Sequence, residues 1–110
     1  MSPRTTRIAA LNDLLRTAFI GGRILVTPGI SALSADVQRD VLARVRGFST
    51  FSAANDPHGE HDFGSFDVKG AGKVFWKIDY YDAAFEGHSP DVADPAVTNR
   101  VLTIMLASEY

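Results

Sequence analysis

The chain contains no cysteine. That one absence removes disulfides, thiolate zinc sites and cysteine nucleophiles together. No apolar run approaches the roughly 20 residues that span a bilayer, and the N-terminus lacks the hydrophobic core of a signal peptide. A soluble cytoplasmic protein with no membrane segment is therefore expected. Excess charge is missing too. The net charge is −2, which argues against a general polyanion binder, so direct nucleic-acid binding is disfavoured. There is no nucleophile elbow and no Ser-x-x-Lys. Gly70-Ala71-Gly72 lacks the helix start that would make it a phosphate cradle. Repeats, low-complexity segments and linkers are absent as well.

What is present suits one folded unit. The 110 residues are 45% hydrophobic, enough for a single α+β domain over 1–110 to bury a core without staples. Charge is uneven along the chain. Residues 1–50 carry seven Arg against three acids, and residues 51–110 carry three Lys and one Arg against ten acids. Such asymmetry can mark a binding face, but a molecular dipole within one domain is the simpler reading.

Ser2-Pro3 reads as the cap and first position of a helix. Ile8, Leu11, Leu15 and Phe19 form its buried stripe, Asn12, Asp13 and Arg16 fall mostly outside it, and Gly21-Gly22 ends it. Ile24 to Thr27 is a short strand stopped by Pro28-Gly29. Ser34 caps a second helix, with Asp36 in its first turn. Val37, Val41, Leu42 and Val45 face inward, and Gly47 closes it. Phe48 to Ala53 reads as a further strand. Phe63–Val68 and Val74–Tyr81 pair through the Gly70-Ala71-Gly72 reversal. Asp82 to Val92 is loop, and Asp94-Pro95 signals a third helix running close to Tyr110. Val97, Val101, Leu102, Met105 and Leu106 would form its buried face. The expected fold is α+β: an antiparallel sheet of about four strands with three helices packed mainly on one face, a two-layer sandwich.

Asn55 to Asp82 is chemically the densest stretch, with the only Trp, all three Lys and six of the thirteen acids. His58, Glu60, His61 and Asp62 place four potential ligands within five residues, a mix that suits zinc, manganese or iron(II). Asp56, Asp79 or Asp82 would complete such a set, with His58, Glu60, His61 and Asp82 as the leading metal candidates. The spacing is not the helical HExxH arrangement. A polar loop satisfying its own backbone is the competing explanation, and no cofactor is required by it. Along the strand, Val74, Trp76, Ile78 and Tyr80 share one face and Phe75, Lys77, Asp79 and Tyr81 the other. One face must be core, and the second offers aromatics beside charges, as protein-binding hot spots do. The candidate binding surface is thus Asp56, His58, Glu60, His61, Asp62, Phe75, Lys77, Asp79, Tyr81 and Asp82.

The segments NDPHGEHDFGSF, FWKIDYYD and DPAVTNRVLTIMLASEY, with LNDLLR and TPGI earlier, resemble a small domain family of unknown function. The resemblance associates the chain with alphaproteobacterial chromosomes, plasmids and other mobile elements. It implies no reaction. It implies a setting among plasmid-maintenance and anti-restriction genes, and so an action on another macromolecule. The expectation is a non-catalytic protein-interaction module, in its sharpest form an anti-CRISPR or anti-restriction inhibitor of a host defence complex. A metal-dependent hydrolase or nuclease built on the His58/Glu60/His61 loop is the alternative, and a purely structural loop the third. An open sheet edge also gives such a fold a route to homodimers.

Overall fold

The computed structural model describes residues 2–110. Four strands form one open sheet in the order β1-β4-β3-β2, with β1 at Gly22–Val26, β2 at Phe63–Val68, β3 at Gly72–Tyr81 and β4 at Asn99–Leu106. All neighbours are antiparallel except β1 and β4, which run parallel. Three helices accompany the sheet: α1 (Pro3–Ala18), the single turn α2 (Pro28–Ser31) and α3 (Ala35–Arg46). The architecture is α+β, as the residue pattern implies. Among the described residues no helix is long and apolar enough to cross a membrane.

Local chemistry sets the helix ends. The Ser2 hydroxyl accepts from the Thr5 amide, and Pro3 needs no N–H partner in the first turn. Ser34 does the same for Val37. α1 ends earlier than its glycines suggest, at Phe19, which takes a left-handed φ of 57°. The core lies between the helices and one sheet face. Leu15, Ile30, Val41 and Val45 pack there on Val74, Trp76, Ile78, Leu102 and Ile104. Gly64 permits this: a Cβ at that position would sit 2.4 Å from the Trp76 indole nitrogen.

Two expected elements are different. The expected C-terminal helix is β4, a central strand. Its apolar residues fit a helical face by spacing, but a strand buried on both sides gives the same run. Leu102 and Ile104 enter the core while Val101 and Met105 take the opposite face, and Val101, Thr103 and Ile104 are β-branched. The Asp94-Pro95 start signal is genuine but serves only a 3₁₀ turn at Pro95–Val97, where the Asp94 carboxylate accepts from the Ala96 amide. The strand expected at Phe48 to Ala53 is an irregular segment. Its phenylalanines are anchors instead, with Phe48 and Phe51 edge-on to Trp76 at 5.6 and 6.2 Å.

Candidate functional site

The polar loop before β2 is built around Asp56. Its carboxylate is 7% exposed as a residue and accepts from the amides of Glu60 and His61 at 3.1 and 3.2 Å. This folds the chain back over Gly59, at φ 69°, and holds His61 at φ 56°, a region a non-glycine residue rarely enters. Three contacts keep it there. The His61 ring lies flat on Phe51, centroids 3.9 Å apart. Its Nδ1 is 3.0 Å from the Asp13 carboxylate, and its Nε2 is 3.8 Å from Asp56.

Behind this loop, α1 presents polar groups to the interior. Asn12 is fully buried and Arg16 is 3% exposed, so both belong to the inward row begun by Ile8 and not to the outer face. Residues 8, 12 and 16 are spaced by four and stack on one helix face. The Asn12 amide donates to the Glu60 carbonyl at 2.9 Å and to the Tyr80 hydroxyl at 2.8 Å. Its oxygen accepts from Arg100 Nε at 2.9 Å, and Arg100 also donates to the Val92 carbonyl. The Tyr80 hydroxyl is 3.2 Å from Glu60 and 3.5 Å from Asp62. Burial pushes the Tyr80 phenol well above its usual range, reinforced by Asp62, so it stays a neutral donor. Burial also raises the Asp62 carboxyl, with Glu60 and Asp56 adding repulsion, and lowers the Arg100 guanidinium. Arg16 closes the other side: it donates to the Val45 and Arg46 carbonyls and pairs with Asp13 at 3.0 Å.

Four of the predicted residues therefore meet. Asp56, Glu60, His61 and Asp62 join Asn12, Asp13 and Tyr80 in a clamp between loop, α1 and β3. His58 is exposed on the loop turn. Asp82 lies beyond β3 and caps its own turn through the Glu86 amide. Among the described residues, no three His, Asp or Glu side chains gather closely enough to hold a metal ion. Two clefts lie elsewhere, along α3 and β2, one of about 410 Å³ lined by Ala43, Gly47, Phe48 and Phe66 among others.

The remaining predicted residues lie on the opposite side of the sheet. Phe75, Lys77, Asp79 and Tyr81 alternate with the core residues of β3, and their register neighbours are Met105, Thr103, Val101 and Asn99 of β4. Cross-strand rows run Leu25–Thr103–Lys77–Phe63 and Arg23–Val101–Asp79. α1, α2 and α3 all send their buried side chains to the other face. At one end Tyr110, 73% exposed, stands edge-on to Phe63 and Phe75 at 6.1 and 5.2 Å. At the other, Phe85 leans on Tyr81 and lies under Arg23, 4.5 Å from the ring centre. Lys77 and Asp79 pair at 3.1 Å between them. The face thus has aromatic ends and a charged middle. Sequence reasoning missed Asn12, Asp13, Arg16 and Arg100 in the clamp, and Leu25, Phe63, Met105 and Tyr110 on the face. The i, i+4 spacing of Ile8, Asn12 and Arg16 was the available signal for the first group.

Part of the charge asymmetry is used within the fold. Arg4 pairs with Asp91, Arg7 donates to the Ala93 carbonyl, and Arg44 to that of Asp67. The basic helices thereby tie to the acidic C-terminal half. Glu109 makes another such tie. It accepts from the Thr27 hydroxyl and the Gly29 and Leu106 amides at 2.6, 3.0 and 2.9 Å, and these bonds hold its carboxyl below the usual range. That joins the TPGI and LASEY segments in space.

A family model described as "Protein of unknown function (DUF3768)" matches residues 26–109. No curated protein and no solved structure shows a significant match.

Proposed function

We propose that this chain, which belongs to the DUF3768 family of proteins of unknown function, acts by binding another protein through the open face of its sheet. This face carries the proposal. A sheet face free of helices presents Phe63, Phe75, Tyr81, Phe85 and Tyr110 around the Lys77–Asp79 pair. Aromatic anchors around a small polar centre are the composition of binding hot spots. The loop clamp plays a different part in this reading: it ties the β2–β3 hairpin to α1 and holds the face rigid, and rigid presentation lowers the entropy cost of binding.

The sharper role, a mobile-element inhibitor of a host defence complex, is supported by the genomic setting the resemblance implies and by the acidic loops beyond β3, where Asp82, Glu86, Asp91 and Asp94 lie. Acidic loops beside an aromatic face suit a partner with a basic rim, and association with it slows as salt is raised. The test is affinity capture from cells of the source organism with the wild type and two face variants, Thr103→Arg and Tyr110→Ser. A partner kept by wild type and by Arg39→Ala on α3, but lost by both face variants, supports the reading. A partner indifferent to both face variants sinks it.

A further inference from the structure

The sheet has two free edges, and they differ. The β2 edge is guarded. Arg44 reaches across it to the Asp67 carbonyl at 3.1 Å and lies over Phe66, and Asp67 and Lys69 add charge. Charges and covering side chains are how proteins prevent strand addition. The β1 edge has no such guard. Its burial pattern is open at four of five positions, it carries one charge, and Leu25 and Val26 are 52% and 43% exposed.

The hydrogen-bond phase of β1 can be derived. The Thr27 amide donates to the Ile104 carbonyl at 3.1 Å, and Ile24 stands opposite Leu102. In a parallel pair this alternation turns the backbone groups of Arg23, Leu25 and Thr27 toward β4. Those of Gly22, Ile24 and Val26 face outward. We propose that a second copy of this chain pairs with β1 in antiparallel fashion, with the two-fold axis passing through Ile24. In that register Ile24 meets Ile24 of the second copy and Gly22 meets its Val26. Every outward-facing residue meets an outward-facing one, closing about six hydrogen bonds. A slip of one residue would oppose outward to inward groups and close none of them. Arg23 stands opposite Leu25 of the second copy, so like charges are not juxtaposed. The side chain of Val26 passes over a glycine. Gly22 is itself fixed by the monomer: a Cβ there would lie 2.5 Å from the Arg100 carbonyl and 2.9 Å from Leu15.

The pairing joins two four-stranded sheets into one and sets the two open faces side by side. A five-residue strand from each copy buries less than the ~800 Å² per partner of a stable complex, so the dimer is weak and concentration-dependent. The chain's lack of cysteine makes the register directly testable. Ile24→Cys places two thiols across the axis with Cα atoms about 5.5 Å apart, within disulfide reach. Leu25→Cys is the more exposed site, but the two copies of position 25 are diagonal and more than about 7 Å apart, beyond that reach. Under mild oxidant the Ile24→Cys protein forms a covalent dimer on a non-reducing gel and the Leu25→Cys protein does not. Equal or stronger cross-linking of Leu25→Cys, or none with either, overturns the proposal. Sedimentation of the unmodified chain gives a second readout. It self-associates as concentration rises, and Val26→Pro stays monomeric, because that N–H makes no bond to β4. Val26→Lys gives the same loss through a charge if proline disturbs the strand. A wild type that remains monomeric at millimolar concentration also overturns it.

Discussion

Truncating Asn12 to alanine strikes the joint on which the polar loop hangs. The side chain is fully buried and makes three hydrogen bonds, to Arg100, Tyr80 and the Glu60 carbonyl. A bond to a charged group contributes about 1.5–3 kcal/mol and a neutral one about 1. Asn12→Ala is therefore expected to cost about 4 kcal/mol, a large part of the roughly 5–15 kcal/mol that holds a domain together. Most of the loss comes from Arg100, left 2% exposed with only the Val92 carbonyl as partner. The single Trp reports unfolding, since Trp76 is fully buried among Phe48 and Phe51. In urea, with a slope near 2 kcal/mol per molar, the midpoint falls by about 2 M. A cycle isolates the cause: in an Asn12→Leu, Arg100→Met double variant both partners become apolar, and the loss is smaller than the two single losses added together. A cost below about 1 kcal/mol for Asn12→Ala, or strict additivity in the cycle, refutes the reasoning.

Four further outcomes follow from the same geometry. Asp62 has a raised folded-state pKa, so its contribution is favourable below its unfolded pKa and is lost as pH rises through the folded value. Asp62→Asn should stabilise at neutral pH by roughly 0.5 kcal/mol, kept small by solvent screening of a partly exposed group, and the gap to wild type in melting temperature should close on acidification. Glu109 has a lowered pKa, so its hold on the tail is present above its unfolded pKa and lost as pH falls through the folded one; the protection of the Gly29 and Leu106 amides, taken against the intrinsic exchange rate at each pH, should fall in acid, and Glu109→Gln should show the lower protection already at neutral pH. Gly64→Ala drives a methyl into the Trp76 indole and is expected to cost about 1–3 kcal/mol, as overpacking does, read from thermal melts. Dialysis against a chelator should leave the melting curve unchanged, since no three described His, Asp or Glu side chains lie close enough to share an ion; a drop in melting temperature would support a metal at the loop.

The elements with one periodicity and explicit caps were readable. α1 and α3 carry Ser caps and turn-spaced apolar residues, and the β2–β3 hairpin alternates around Gly70 to Gly72. β4 was not readable, because Val101 and Met105 on the helix-free face are buried among neighbouring side chains nearly as fully as Leu102 and Ile104 in the core, so the strand loses its alternation and mimics a helix stripe. Phe48 to Ala53 misled in the opposite sense: aromatic content reads as strand, while Phe48 and Phe51 serve as anchors against Trp76. The candidate surface divided along the same line. Which faces β3 shows followed from period two, so Phe75, Lys77, Asp79 and Tyr81 were found together. The partners of the loop were hidden, since nothing local links Asp56 to Asp82 with Asn12, Asp13 or Arg100 from distant elements. Tyr110 joined the face only because the last residues of the chain turn back over β3.

The most direct test of the open face as the working surface is a photo-cross-linker placed at Lys77, with the same group at Arg39 on α3 as control, irradiated in cells of the source organism. The account predicts one dominant protein adduct from position 77 and none from position 39. No adduct at 77, or the same adduct from both positions, would contradict it.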